Sequence, residues 1–179
     1  MTNLQKFCTL LAVLTLISCD DQGTKPQTEL QQSFNPTSTP ADSRAAQLQS
    51  VLALNPKDFA ALAELGDVYF EAGQYFDAII TYDKAIAVNP QCADCFNDKG
   101  LASFYLGDVN TALQSFDKAV EIRPDFTHAW LSKGFVLTSE GRYQEAIEPL
   151  NKVKELDTTG GLAAEADKFL ALGAQTGVQ

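Results

Sequence analysis

The sequence predicts an all-α fold: a right-handed superhelical array of antiparallel helix hairpins, about eight helices in all. Three observations carry this prediction. Pro56, Pro90 and Pro124 stand 34 residues apart. A glycine recurs midway between them, at Gly73, Gly107 and Gly141. Apolar residues on both sides of each glycine fall at three- and four-residue steps, the spacing of one helix face, and no strand period competes with it.

The elements follow in order. Residues 42–57 form a half-repeat helix carrying Leu48, Val51, Leu52 and Leu54, which Asp42 or Ser43 can cap and Asn55-Pro56 stops. Residues 58–91 run Leu62, Leu65-Gly66, Tyr69, Gly73, Tyr75, Ala78, Tyr82, Ala85, Pro90. Residues 92–125 repeat this as Phe96, Lys99-Gly100, Ser103, Gly107, Val109, Ala112, Phe116, Ala119, Pro124. Residues 126–159 repeat it again as Trp130, Lys133-Gly134, Leu137, Gly141, Tyr143, Ala146, Leu150, Val153, with Thr158 where a proline would fall. Residues 160–179 form a capping helix and tail, with Leu162, Ala163, Ala166, Phe169 and Leu170 at helical spacing.

Close packing of two helices needs small residues at the crossing. Gly66, Gly100 and Gly134 are expected to meet Ala78, Ala112 and Ala146 there. Leu62, Phe96, Trp130, Tyr82, Phe116 and Leu150 would fill the space around it, each contributing roughly 1.5–3 kcal/mol on full burial. Pro149 departs from the pattern: it removes a hydrogen bond to Glu145 and is expected to kink the last repeat helix.

This 34-residue pattern resembles the tetratricopeptide repeat over residues 43 to 173. The resemblance implies a scaffold that binds other proteins along a concave face lined by the first helix of each repeat. Matching positions are Ala60, Ala63, Asp67, Phe70 and Glu71; then Asp94, Asn97, Leu101, Phe104 and Tyr105; then His128, Leu131, Phe135, Thr138 and Ser139. This surface lacks the lysine and arginine clamp of members that take acidic carboxyl-terminal peptides. An extended or helical partner segment is expected to set apolar residues on Leu101, Phe104, Leu131 and Phe135 and a basic residue near Asp67 or Glu71. The alternative is that several of the aromatics are buried between repeats.

The amino terminus carries a second signal. Lys6 precedes an apolar run from Phe7 to Ile17, too short for the roughly 20 residues that span a bilayer but suited to a signal-peptide core over residues 1–18. Leu16-Ile17-Ser18-Cys19 then resembles the bacterial lipobox, which implies a lipid on Cys19. The alternative, an ordinary secretory signal with a chance cysteine, has no A-x-A-like cleavage site to support it. Asp20 and Asp21 resemble an inner-membrane retention signal, or they merely begin the tether. Residues 20–41 have few apolar residues and no period, so they read as a disordered linker, with an end-to-end distance of about 25 Å. The resulting location is the bacterial envelope, lipid-anchored with the repeats in the periplasm.

The chain has 13 basic and 23 acidic residues and a formal charge of −10. With no basic cluster, nucleic acid and unassisted binding to anionic lipid are excluded as partners. Partners with basic or mixed apolar and basic segments would be steered toward it. Cys8 leaves with the signal, so Cys92 and Cys95 are the remaining pair. Their C-x-x-C at a helix start is open to four readings: a local disulfide, a thiol-exchange site, half of a metal site, or free thiols. No βαβ pattern surrounds it, and Phe96 removes c-type haem attachment. His128, the single histidine, either faces the groove or is a partly exposed polar residue. No nucleophile, metal or phosphate motif occurs, so no enzyme activity and no cofactor are expected. The favoured function is an envelope adaptor; the other reading is a periplasmic redox or metal-handling accessory using Cys92 and Cys95.

Overall fold

The computed structural model describes residues 40–175. The signal segment, Cys19 and the tether through residue 39 lie outside the described residues, as do the last four. All regular structure among the described residues is helical: α1 (Pro40–Leu54), α2 (Phe59–Glu71), α3 (Tyr75–Val88), α4 (Ala93–Tyr105), α5 (Val109–Ile122), α6 (Thr127–Ser139), α7 (Tyr143–Leu156) and α8 (Gly161–Gln175). The hairpins are α2–α3, α4–α5 and α6–α7, stacked through α3 on α4 and α5 on α6. The first helices α2, α4 and α6 also touch in a row, and α8 continues that row against α6. The cap thus occupies the place of a fourth first helix.

The repeat glycines at the hairpin turns have φ of 72°, 82° and 71° at Gly73, Gly107 and Gly141. A left-handed residue is what ends one helix and reverses the chain within a few residues, and glycine takes it without a Cβ penalty. The glycines inside the first helices do a different job. They lie not against the alanines but against the large residue one turn further along the second helix. A Cβ on Gly100 would sit 2.6 Å from Cε1 of Phe116, and Gly66 and Gly134 face Tyr82 and Leu150 in the same way. Spacing alone had pointed to the alanines, which are buried on the same face.

Tyr82, Phe116 and Leu150 are therefore the fully buried keys of the three hairpins. Leu62 is buried with them, whereas Phe96 and Trp130 reach only half-burial, below the full burial expected. The indole Nε1 of Trp130 instead donates to the carbonyl of Pro124 at 2.8 Å. Two ion pairs repeat the 34-residue register across the stack: Lys99 to Asp83 at 2.5 Å and Lys133 to Asp117 at 2.7 Å. Each joins a first helix to the second helix before it; at this exposure such pairs contribute roughly 0–1 kcal/mol.

Three details mark the ends. Helix α1 begins at Pro40, ahead of Asp42, because proline is favoured in a first helical turn where its missing N–H costs nothing. Pro149 does not end α7, which continues to Leu156 with the proline buried. At Thr158 the closing role passes to Asp157. Its Oδ1 accepts from Thr159 N at 2.9 Å, Thr159 Oγ1 at 2.6 Å and Gly160 N at 3.1 Å, and its Oδ2 accepts from Ala163 N at 2.9 Å. These bonds hold the Asp157 carboxyl well below the usual carboxylate range.

Candidate functional site

The first helices and the turn after them carry a ladder of rings. Phe70 at the end of α2 meets Tyr75 at the start of α3 edge-on, at 5.5 Å between centroids. Tyr75 stacks on Tyr105 of α4 at 4.8 Å, and Phe70 lies 5.8 Å from the same ring. Tyr105 adjoins Phe104 at 5.8 Å, Phe104 meets Phe135 of α6 edge-on at 5.5 Å, and Phe135 reaches Phe169 of α8 at 5.6 Å. Six rings thus connect the first hairpin to the cap, each pair within the 4.5–7 Å that favours aromatic contact. Tyr105 is 53% exposed, and Phe70, Phe104 and Phe135 are half-buried, so the ladder is partly structural and partly open. At the cap it borders a cleft of about 360 Å³ between α6, α7 and α8, lined by Thr138, Tyr143, Ile147, Phe169 and Leu170.

The other end is acidic. Carboxylates of α2 and α4 crowd together there: the charges of Glu71, Glu64 and Asp94 act on Asp67, and those of Asp67 and Asp94 act on Asp98. Burial lifts the Asp98 carboxyl from its usual 3.8 to about 6; a hydrogen bond from Asn97 opposes this, and the charges of Asp67 and Asp94 add to it. Asp67 is exposed as a residue, yet burial of its carboxyl also raises it, against the lowering hydrogen bond from Tyr82. That bond runs from the Tyr82 hydroxyl to Asp67 Oδ1 at 2.8 Å, and burial and the Asp67 charge keep the phenol protonated. Asn97 Nδ2 donates to Asp98 Oδ1 at 3.0 Å.

The structure therefore distributes the expected groove residues unevenly. Asp67, Glu71, Tyr105 and His128 are exposed; Phe70, Leu101, Phe104 and Phe135 are half-buried. Asn97 and Leu131 are buried, at 6% and 9% exposure. Leu131 belongs to the core of the third hairpin with Leu137, Leu150 and Val153, so it offers little to a partner. His128 sits apart from the ladder, its ring 6.2 Å from Phe126. Tyr75 and Phe169 complete the ladder and were not expected in it. Phe169 could have been found by carrying the register one step further, since Asp67, Leu101, Phe135 and Phe169 are spaced by 34.

Cys92 and Cys95 are joined as a disulfide at the start of α4. Cys92 takes the N-cap position that Asp58 takes on α2, its Sγ accepting from Cys95 N at 3.1 Å. Both sulfur-bearing residues are buried in the core with Leu62, Tyr82 and Ala85, away from exchange partners. No group of three or more His, Cys, Asp or Glu side chains among the described residues is placed to hold a metal ion. Nor is any described helix long and apolar enough to cross a membrane.

Family models for the TPR repeat and the tetratricopeptide repeat match residues 66–104 and 97–160. The chain belongs to the tetratricopeptide repeat family. Among solved structures, MamA superposes with a TM-score of 0.62 at 23% identity, covering 75% of this chain and 81% of that one. The Arabidopsis OM64 TPR domain gives 0.59 at 26% identity, covering 63% and 93%. The first TPR domain of Spaghetti, solved with the HSP90 peptide SRMEEVD, gives 0.62 at 24% identity, covering 68% and 94%. No curated protein sequence matches. As in this family generally, the architecture is a scaffold with a row of first helices available along one face.

Proposed function

We propose that this tetratricopeptide protein is a membrane-anchored periplasmic adaptor, which binds other envelope proteins through its concave groove and supports assembly of an envelope complex. The observation that carries the binding role is the ladder from Phe70 to Phe169, in which Tyr105 leaves half its surface to solvent. A connected row of rings offers large, rigid contact area at little entropic cost, as binding hot spots do. The Spaghetti domain holds an acidic peptide; here Asp67, Glu71, Asp94 and Asp98 would repel one, so a different class of segment is bound. The lipobox-like Leu16-Ile17-Ser18-Cys19 and the signal-like run before it support the anchor and the compartment. The buried disulfide favours a structural role for Cys92 and Cys95 over the redox alternative.

Two measurements test this reading. A photo-crosslinking residue in place of Tyr105 is expected to capture a discrete envelope protein in cells, and capture should fall when Phe135 is changed to alanine. Cys19→Ser is expected to abolish lipid labelling and release the protein from the membrane fraction; retention without lipid would overturn the anchor.

A further inference from the structure

We propose that the acidic end of the groove is a receptor for one cationic side chain, an arginine or lysine of the bound segment, held by Asp67, Asp98 and Asn97. This rests on the adaptor reading and specifies its partner: a segment in which a basic residue is followed by apolar or aromatic ones.

The cluster is rich in acceptors and short of donors. Asp67 receives one hydrogen bond, from Tyr82, and Asp98 receives one, from Asn97. A carboxylate can accept about four. The second sign is Asn97 itself. It is 94% buried, its amide lies against Asp98, and its Oδ1 has no donor at all. A buried amide oxygen without a donor is unfavourable and rare, and here its side chain lies against Asp98, which also has acceptor capacity to spare.

The neighbouring cations are already committed to other carboxylates than Asp67 and Asp98. Lys99 pairs with Asp83 and Lys133 with Asp117, while Arg123 pairs with Asp94 at 2.7 Å and lies 3.6 Å over the Phe126 ring. Burial holds Asp98 near 6, as befits a carboxylate whose counter-charge is missing.

The chemistry selects an organic cation over a metal ion. The carboxylates do not converge into a metal-binding group. A guanidinium, with five N–H donors in a planar fork, matches separated acceptors on two helices. Phe70 lies one turn beyond Asp67 on α2, and Leu101 lies one turn beyond Asn97 and Asp98 on α4. A segment anchored by its cation would therefore run directly onto Phe70, Tyr105 and Phe104.

The test uses the full-length protein and two labelled peptides of one apolar and aromatic sequence, one starting with arginine and the other with citrulline, its neutral isostere. Anisotropy is expected to show the arginine peptide binding at least about tenfold more tightly, a preference that added salt erodes. In the Asp67→Asn, Asp98→Asn double variant that preference should fall below about twofold. Equal binding of both peptides to the unaltered protein, or a preference that survives the double substitution, overturns the cation site and leaves the groove standing. Tyr105→Ala, at an exposed position, should weaken both peptides alike. If neither peptide binds the unaltered protein, the groove reading falls together with the cation site. Lys25 is the one lysine of the linker sequence 20–41, and tighter arginine-peptide binding after Lys25→Gln would overturn the assignment to a partner, because the chain's own lysine would then be the occupant.

Discussion

The two ends of the groove are built on one repeat yet have opposite characters. Around α2 and α4, carboxylates crowd together, Asp98 is held near 6 and Asn97 Oδ1 lacks a donor. Around α6, α7 and α8, Leu131, Leu137, Leu150 and Phe169 pack against one another. The framework positions are filled alike at both ends, by a glycine under a buried key residue, so the difference lies in the residues between them. The scaffold is settled by packing, and the acidic end keeps unsatisfied polar groups that a partner can complete.

Removing the key at the packed end should have the largest effect. Leu150→Ala leaves a cavity where nothing polar can compensate, and a loss of about 2–5 kcal/mol is expected in denaturant melts. A loss below about 1 kcal/mol would mean the end collapses freely and is not the rigid half of the comparison. Gly100→Ala tests the framework that both ends share. Its Cβ would press on Phe116, and a cost of roughly 1–3 kcal/mol is expected.

The acidic end should respond in the opposite sense. A carboxyl whose folded pKa is raised opposes folding once ionised. For Asp98 that penalty is absent below about pH 4, develops between 3.8 and about 6, and is complete above it. Asp98→Asn is therefore expected to stabilise the protein at pH 7 by on the order of 1–2 kcal/mol, after allowance for its partial exposure, with the gain disappearing by pH 4. Thermal melts across that range would check it, and a variant less stable than the parent at pH 7 would show the acidic end to be structural. Tyr82→Phe should have the smallest effect. It keeps the buried ring, strips Asp67 of its donor, and is expected to cost about 0.5–1.5 kcal/mol by the same melts.

Much of this was legible in the residues. The register of Pro56, Pro90 and Pro124 located the hairpins, and Gly73, Gly107 and Gly141 located their turns, because both residue types act on the local backbone. Contacts between helices were harder to read. Spacing shows that Ala112 and Phe116 share a face but not which of them Gly100 touches. Leu131 and Asn97 hold groove positions, yet neighbouring helices cover them, and burial is a property of neighbours rather than of position. Tyr75 escaped notice as a site residue because it opens a second helix and joins the ladder only through the turn at Gly73. The pairing of Cys92 with Cys95 was one of four open readings, since a C-x-x-C spacing suits several chemistries.

The closing turn at Asp157 bears on copy number. Turns closed by Pro90 and Pro124 impose a backbone shape that asks little of the chain beyond, so such units can be duplicated or exchanged. The third unit ends differently. One carboxylate gathers hydrogen bonds from Thr159, Gly160 and Ala163, all on the path into α8. A duplicated hairpin inserted between Asp157 and Ala163 would cut that knot, whereas one inserted at or before Leu156 would leave it whole, so gene duplication can lengthen this chain only ahead of Asp157, with the same knot closing the longer array.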